Sequence, residues 1–213
     1  MIGTQGQDGT TTAGNGPTLT EPVQLRADPA STNTPALPVA DTRSFPEVLI
    51  KTTLGEIRLR LNAEKAPVTV DNFLQNYVDQ GFYNNTVFHY VDEGHIIAAG
   101  GYTSDLQQKQ PRESIPNEAD NGLKNVRGTI AMSRDRDDAE TANCQFFINL
   151  ADNAGLDHKG QDSADDFGYC VFGEVIEGMD VADRIGNSEV TDQANFASTP
   201  SQKAEIISAE RSS

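Results

Sequence analysis

The sequence predicts a mainly β domain: a closed antiparallel barrel of about eight strands, capped by two α-helices and preceded by a disordered N-terminal tail. Short β-prone runs bounded by Gly, Asp and Asn recur along residues 47–213, only two stretches show helical periodicity, and residues 1–46 have a different composition. Because the connections between the runs are short, antiparallel pairing is favoured over an alternating α/β sheet. A chain of 213 residues with 36% hydrophobic content supports one core.

Residues 1–46 consist mainly of Gly, Thr, Pro, Asn and Ala, and Phe45 is their only aromatic residue. Such a segment cannot bury enough apolar surface to offset its conformational entropy, so we expect disorder up to residue 46 and a folded domain over 47–213. The segment is either a tether, of the kind found between a cleaved export or lipid-anchor signal and a domain, or a tail without function.

The first element of the domain is a hairpin, VLIKTTLGEIRLRLN, which begins at Val48 and turns at Leu54-Gly55. An amphipathic helix follows in APVTVDNFLQNYVDQG, with Pro67 near its start and Gly81 after its end. Its apolar residues have helical spacing and are Val70, Phe73, Leu74, Tyr77 and Val78.

The remaining elements are short. Four β-prone runs predict strands, and they lie within Arg127–Ser133, Cys144–Ala151, Gly168–Ile176 and Ala204–Glu210. A second short helix is predicted over Met179–Ile185.

Conventional catalytic and metal signatures are missing from the sequence. His89 and His95 are not spaced as zinc ligands, and no serine lies in a G-x-S-x-G setting. Gly100-Gly101 lacks the lysine of a phosphate loop, and we interpret the pair as a bend or a close backbone approach. The acidic run DRDDAE is interpreted as a solvated loop rather than a Ca²⁺ site, and no metal or cofactor is expected.

The chain carries a formal net charge of −16, of which −14 belongs to residues 47–213. An acidic surface repels phosphate backbones, so we expect no nucleic-acid partner, and no stretch is apolar enough for a membrane span. Cys144 and Cys170 each lie in an apolar run, where cysteine behaves as a small hydrophobic residue.

Four further blocks occur in order within residues 47–186: APVTVDNFLQNYVDQGFYNNTVFH, PNEADNGLKNVRGTIAMSR, CQFFINLADNAGLDH and DFGYCVFGEVIEGMDVADRI. They resemble the cyclophilin family of peptidyl-prolyl cis-trans isomerases, most closely its bacterial, often periplasmic, branch. The resemblance implies an eight-stranded barrel capped by two helices, with a proline-binding groove on its outer face. The implied reaction is rotation about an X-Pro peptide bond, which needs neither a nucleophile nor a cofactor.

The resemblance also implies roles for particular residues. Phe147 would form the floor of the proline pocket, with Ile96 and Leu156 as its apolar walls, while Phe146 would point the other way. Gln145 would offer its amide to the substrate backbone. The other groove positions implied by the resemblance are Ser133, Arg134 and Tyr169.

Three positions depart from the family pattern. Tyr90 stands where the family has the arginine credited with hydrogen bonding to the prolyl amide, His95 where it has an aromatic residue, and Ala99 where it has a glutamine. The run from Tyr90 to the glycine pair is also one residue longer than usual.

From these departures the sequence predicts an isomerase that assists protein folding with reduced or altered activity. The alternative is a binding module, in the manner of a chaperone, that holds proline-containing segments without accelerating their rotation. We expect a monomer that binds cyclosporin weakly at most, because the drug uses the altered positions. A periplasmic or cell-envelope location is expected, and otherwise a cytoplasmic one.

Overall fold

The computed structural model describes residues 44–193 and 196–212, so the predicted disorder of residues 1–43 lies outside the described residues. The strands are β1 Glu47–Thr52, β2 Gly55–Leu61, β3 Thr86–Val87, β4 Tyr90–Asp92, β5 Ile96–Ala99, β6 Thr129–Met132, β7 Phe146–Asn149, β8 Val171–Glu177, β9 Val190–Gln193, β10 Phe196–Pro200 and β11 Glu205–Ser212. The helices are α1 Pro67–Asp71, which continues as a π-helical segment over Asn72–Val78, then α2 Ala164–Phe167 and α3 Met179–Gly186.

Nine strands form one antiparallel sheet in the order β3-β11-β1-β2-β8-β6-β7-β5-β4. The strands at its two ends, β3 and β4, are consecutive in the chain and are separated only by Phe88 and His89. The Phe88 amide donates to the Ala204 carbonyl beside β11, and the His89 amide donates to the Ala98 carbonyl in β5. The sheet therefore curls so that the strands at its two ends, β3 and β4, belong to one continuous segment of the chain. Counting β3 and β4 as one interrupted strand recovers the predicted eight-stranded barrel.

The predicted hairpin is confirmed, with β1 and β2 paired in continuous register from Glu47–Arg60 to Thr52–Gly55. The folded part begins before residue 47, because the Pro46 carbonyl accepts from the Leu61 amide and the Ser44 carbonyl accepts from the Ala63 amide. A second hairpin of β9 and β10 was not predicted, since its residues are largely polar and exposed.

The first predicted helix is confirmed, and its second half has π geometry. Its apolar face, including Phe73 and Tyr77, is buried in the barrel core. The Glu118 carboxylate accepts hydrogen bonds from the amides of Val68 and Thr69 at 3.2 and 2.8 Å, which satisfies free N–H groups in the first turn. A distant loop thereby fixes the start of the helix.

Helix α3 is also confirmed and packs through Val181, Ala182 and Ile185. Gly178 precedes it with φ +90°, next to the Glu56 carbonyl, where a side chain would collide with the backbone of β2. No helix among the described residues is long and apolar enough to cross a membrane.

Candidate functional site

A row of side chains runs across the outer face of the sheet, opposite the core. In register, Tyr90 of β4 pairs with Ala98 of β5, Ala98 pairs with Phe147 of β7, and Phe147 pairs with Ala131 of β6. Ala131 pairs in turn with Val171 of β8, next to an irregularity in the ladder. Since strand side chains alternate between the two faces, this row lies outside the barrel.

Phe147 is the centre of an apolar cluster separate from the core. Ala98, Ala131 and Val171 are buried with it, and Phe147 is itself only 2% exposed. The half-buried residues packed against these four are Tyr90, Ile96, Leu123, Leu156 and Tyr169. We call these nine residues the Phe147 cluster. A large aromatic flanked by two alanines leaves room above the sheet for a small apolar ring.

The structure brings together several residues named from the sequence. Phe147, Ile96, Leu156, Tyr169 and Tyr90 all belong to the Phe147 cluster. Phe146, by contrast, lies in the main core with no exposed surface, as strand alternation predicts.

Arg134 is held in place by the backbone around it. Its guanidinium lies 4.2 Å from the ring centroid of Tyr169, and that ring meets Phe147 edge-on at 5.6 Å. The Arg134 Nε donates to the Gly168 carbonyl, Nη1 to the carbonyls of Asp135 and Arg136, and Nη2 to that of Ala164. Four of its five N–H groups are thus already used within the protein.

The Tyr90 hydroxyl, in contrast, has no hydrogen-bond partner within residues 44–193 and 196–212. Burial, and then the nearby Asp92 carboxylate, raise the pKa of Tyr90 above its ordinary value. The side chain is therefore a neutral phenol at physiological pH, able to donate a hydrogen bond to a ligand on the Phe147 cluster.

Gln145 and Ser133 lie at one end of the site, where β6 and β7 meet. The Ser133 amide donates to the Gln145 carbonyl at 2.9 Å. A Cβ at Gly101 would lie 2.8 Å from the Gln145 Cγ, so the second glycine of the pair makes space for this side chain. Gly100 has φ +98° and passes close to the Cys144 carbonyl, and the pair therefore serves as a bend with close backbone approach.

The structure corrects the expected position of Ala99. This residue has no exposed surface and belongs to the core, whereas Ala98 faces outward between Tyr90 and Phe147. The reason is strand alternation within the longer run before the glycines: Ile96 and Ala98 share the outer face, and Ile97 and Ala99 share the inner one. Ala98 is thus the alanine of the site.

His95 does not contribute its ring to the cluster's interior. Its side chain is 66% exposed and its Nδ1 lies 3.5 Å from the Asp92 carboxylate. Its backbone is hydrogen-bonded within the protein, because the His95 carbonyl accepts from the Leu150 amide and from the Asn153 side chain.

Sequence reasoning missed an asparagine network beneath the site. Asn125, which is 1% exposed, donates from its side chain to the carbonyls of Leu156 and Tyr169 at 3.1 and 3.3 Å. Its side-chain oxygen accepts from Asn149, which in turn is bonded to Asn153. The network joins three loops that carry residues of the Phe147 cluster. The only signal in the sequence is the recurrence of Asn near the ends of predicted strands.

The other candidate reactive groups lie apart from this site. Burial raises the pKa of Cys144 to about 11 and that of Cys170 to about 12, so both thiols stay protonated. Burial lowers the pKa of His89 to about 4. The described part of the chain holds no cluster of three or more His, Cys, Asp or Glu residues suited to a metal ion.

Comparison with known proteins identifies the family of the chain. Residues 47–211 match the family described as cyclophilin type peptidyl-prolyl cis-trans isomerase/CLD. The chain is 48% identical over 162 residues to peptidyl-prolyl cis-trans isomerase A of Dickeya dadantii, covering 76% of this chain and 82% of that protein. It is 49% identical over 138 residues to peptidyl-prolyl cis-trans isomerase B of Escherichia coli, covering 65% and 82%.

Solved structures agree on the fold. A cyclophilin type peptidyl-prolyl cis-trans isomerase from Cryptosporidium parvum, crystallised in the presence of the dipeptide Ala-Pro, is similar with a TM-score of 0.64 and 23% identity. The match covers 78% of this chain and 99% of that one.

Proposed function

The chain belongs to the cyclophilin family and is a peptidyl-prolyl cis-trans isomerase, and on that premise we propose that it turns over slowly because Tyr90 replaces the family arginine. The observation that carries the proposal is the strand register. Tyr90 on β4 lies directly across from Ala98 on β5, and Ala98 in turn pairs with Phe147 on β7. The substrate class we propose is a proline-containing segment of a folding polypeptide. The Ala-Pro dipeptide named with the related Cryptosporidium structure supports this class.

In this proposal the Phe147 cluster holds the proline ring. The barrier to rotation about an X-Pro bond is about 18–20 kcal/mol, and it arises from resonance between the amide nitrogen and its carbonyl. As the bond twists, the resonance is lost and the nitrogen becomes a better hydrogen-bond acceptor. A donor positioned near this nitrogen therefore stabilises the transition state more than the ground state.

Tyr90 is the donor that this site offers. Its hydroxyl is uncharged and has no partner in the described chain, so it is available to a substrate. Arg134 is a poor substitute, because moving its guanidinium toward the cluster would break the bonds to Gly168 and Ala164. The Gln145 side chain, which hydrogen-bonds with Tyr102, is the group that we propose binds the substrate backbone.

The expected decrease in the isomerisation rate follows from hydrogen-bond energies. Bonds to a charged partner contribute about 1.5–3 kcal/mol and neutral bonds about 0.5–1.5 kcal/mol, so replacing arginine by tyrosine removes about 1–2 kcal/mol. Losing a preorganised donor altogether costs about 10²–10³ in rate. We therefore expect an isomerase slower by about ten- to a thousand-fold than the same protein with arginine at this position.

A protease-coupled assay on an Ala-Pro peptide, comparing the wild-type protein with Tyr90→Arg, tests the proposal. We expect the variant to raise kcat/KM by at least about ten-fold. Val190→Arg, at an exposed position on the β9 strand, is the control for adding a positive charge to this acidic protein, and it should leave the rate unchanged. Equal rates for the wild type and Tyr90→Arg would contradict the proposed role of position 90.

A second function is favoured by the same observation: an intact Phe147 cluster without the arginine could bind proline segments without accelerating their rotation. NMR exchange spectroscopy on a proline peptide separates the two. Chemical-shift changes on titration, together with unchanged cis/trans exchange, would identify a binding module. Enhanced exchange would identify an enzyme.

A further inference from the structure

A cavity lies on the outer face of the barrel next to the Phe147 cluster, and Leu123 and Val171 are the two cluster residues that also line it. Its volume is about 540 Å³, and the apolar lining residues outside the barrel core are Phe45, Leu123, Val126 and Val171. We call it the Phe45 cavity. Binding sites for small groups in proteins typically measure about 300–1,000 Å³, so it is large enough for a sizeable side chain.

The cavity is formed by residues from several parts of the chain. Gly173 of β8 pairs with Leu61 of β2, and a Cβ on this glycine would lie 2.6 Å from the Arg60 carbonyl. A glycine is therefore required in the strand; its Cβ position faces the core beside Leu61 and Ile130, and its backbone lines the cavity. Phe45, which precedes β1, and the loop carrying Leu123 and Val126 form the sides.

The cavity is continuous with the Phe147 cluster. Leu123 and Val171 line the cavity and also pack in the cluster, so they form a wall common to both. From β7, which carries Phe147, the order continues through β6 to β8 and then β2. At about 4.8 Å between neighbouring strands, the cavity between β8 and β2 is roughly 10–14 Å from Phe147.

The charges at the rim indicate the chemistry of the occupant. Arg60 lies 3.2 Å from the Glu47 carboxylate and Lys124 lies 3.6 Å from that of Asp157. Both cations thus already face an acidic partner, and the third charged lining residue, Glu174, is exposed to solvent. Burying an additional charge among apolar walls would be costly, so the cavity favours a neutral, apolar group.

We propose that the Phe45 cavity is a second subsite for the polypeptide substrate, and that it takes an apolar side chain such as leucine about three or four residues from the proline bound at Phe147. The spacing follows because an extended peptide advances about 3.3 Å per residue and the two sites are roughly 10–14 Å apart. The inference rests on the proposed function, because it assumes that a proline lies on the Phe147 cluster. We therefore expect the protein to bind preferentially to segments that combine a proline with an apolar residue at this spacing.

The test uses the full chain and fluorescently labelled peptides in a binding titration. The parent peptide contains one Ala-Pro among alanines and glycines, and the series adds one leucine at successive positions on either side. We expect binding about ten-fold tighter than the parent at a spacing of about three or four residues on one side, and close to the parent elsewhere.

Two valines of similar exposure supply matched variants. Val126, at the cavity, is 44% exposed, and Val190, on the β9 strand, is 46% exposed. Val126→Asp should abolish the gain from leucine while leaving binding of the parent peptide unchanged, and Val190→Asp should alter neither. Phe45→Ala should also reduce the gain in affinity from leucine, because it removes one apolar side of the cavity.

The outcomes separate this inference from the proposed function. If the parent peptide is neither bound nor isomerised, the proposed function fails and the inference fails with it. If the parent binds but leucine changes affinity less than about two-fold at every spacing, the subsite alone is refuted. A leucine effect that survives replacement of the peptide's proline by alanine would also overturn the inference, because the cavity would then bind independently of the proline site.

Discussion

Replacing Asn125 by alanine should destabilise the protein more than replacing an exposed asparagine by alanine. Its side chain is buried and bonds the carbonyls of Leu156 and Tyr169, which border Phe147. It also accepts a hydrogen bond from Asn149 at 3.2 Å. Alanine removes all of these bonds and leaves the backbone amide bond to Asp157 in place.

The magnitude follows from what each partner retains. The Leu156 carbonyl keeps the Tyr169 amide as a donor, and Asn149 keeps the Thr129 hydroxyl as an acceptor. The Tyr169 carbonyl loses its side-chain donor outright. An unsatisfied carbonyl removed from water costs about 1–3 kcal/mol and each of the two other bonds contributes about 0.5–1.5 kcal/mol, so we expect a loss of about 2–6 kcal/mol in the free energy of unfolding.

Urea unfolding followed by circular dichroism measures this loss. Asn187→Ala is the control, because Asn187 is exposed and its side chain makes no hydrogen bond within the described residues. Since the bonds orient two residues of the Phe147 cluster, Asn125→Ala should also weaken binding of an Ala-Pro peptide at temperatures where it remains folded. A change below about 0.5 kcal/mol, or an equal change in the control, would refute the reasoning about buried hydrogen bonds.

Three further predictions concern the site and its surroundings. Tyr90→Phe should lower kcat/KM by about two- to twelve-fold in the protease-coupled assay without changing the free energy of unfolding, because the hydroxyl has no partner within the described residues and donates to the substrate in our proposal; an unchanged rate would exclude the hydroxyl as donor. His89 has a folded-state pKa of about 4 against 6.5 when unfolded, so the unfolded state binds more protons between these values and stability falls as pH decreases through this window. Between pH 7 and pH 5 this effect lowers the free energy of unfolding by about 2 kcal/mol. Urea titrations at both pH values should therefore show a decrease that is about 2 kcal/mol smaller in His89→Phe than in the wild type. Cyclosporin should bind with a Kd above about 1 µM in calorimetry and more tightly to Tyr90→Arg, whereas nanomolar binding to the wild type would contradict the importance of the altered positions.

Local pattern was sufficient for most of the elements. The hairpin from Val48 and the helix starting at Pro67 show periods of two and 3.6 residues, the strand around Phe147 is a short β-prone run, and each is found where it was predicted. The resemblance to cyclophilins agreed with the barrel predicted from these patterns and named five of the nine residues of the Phe147 cluster. The β9–β10 hairpin escaped prediction because its polar, exposed residues leave no hydrophobic period.

The sequence by itself determined that this chain is a cyclophilin with tyrosine at the arginine position, because those facts depend on residue identity and order. Only the tertiary structure decided that Ala98 rather than Ala99 faces the site. It also decided that Asn125 holds the loops of the site through hydrogen bonds, and that the Phe45 cavity adjoins the Phe147 cluster. Each of these depends on pairing between residues far apart in the chain. A shift of one residue in strand register reverses the face on which a side chain lies, and no local pattern specifies the partner strand.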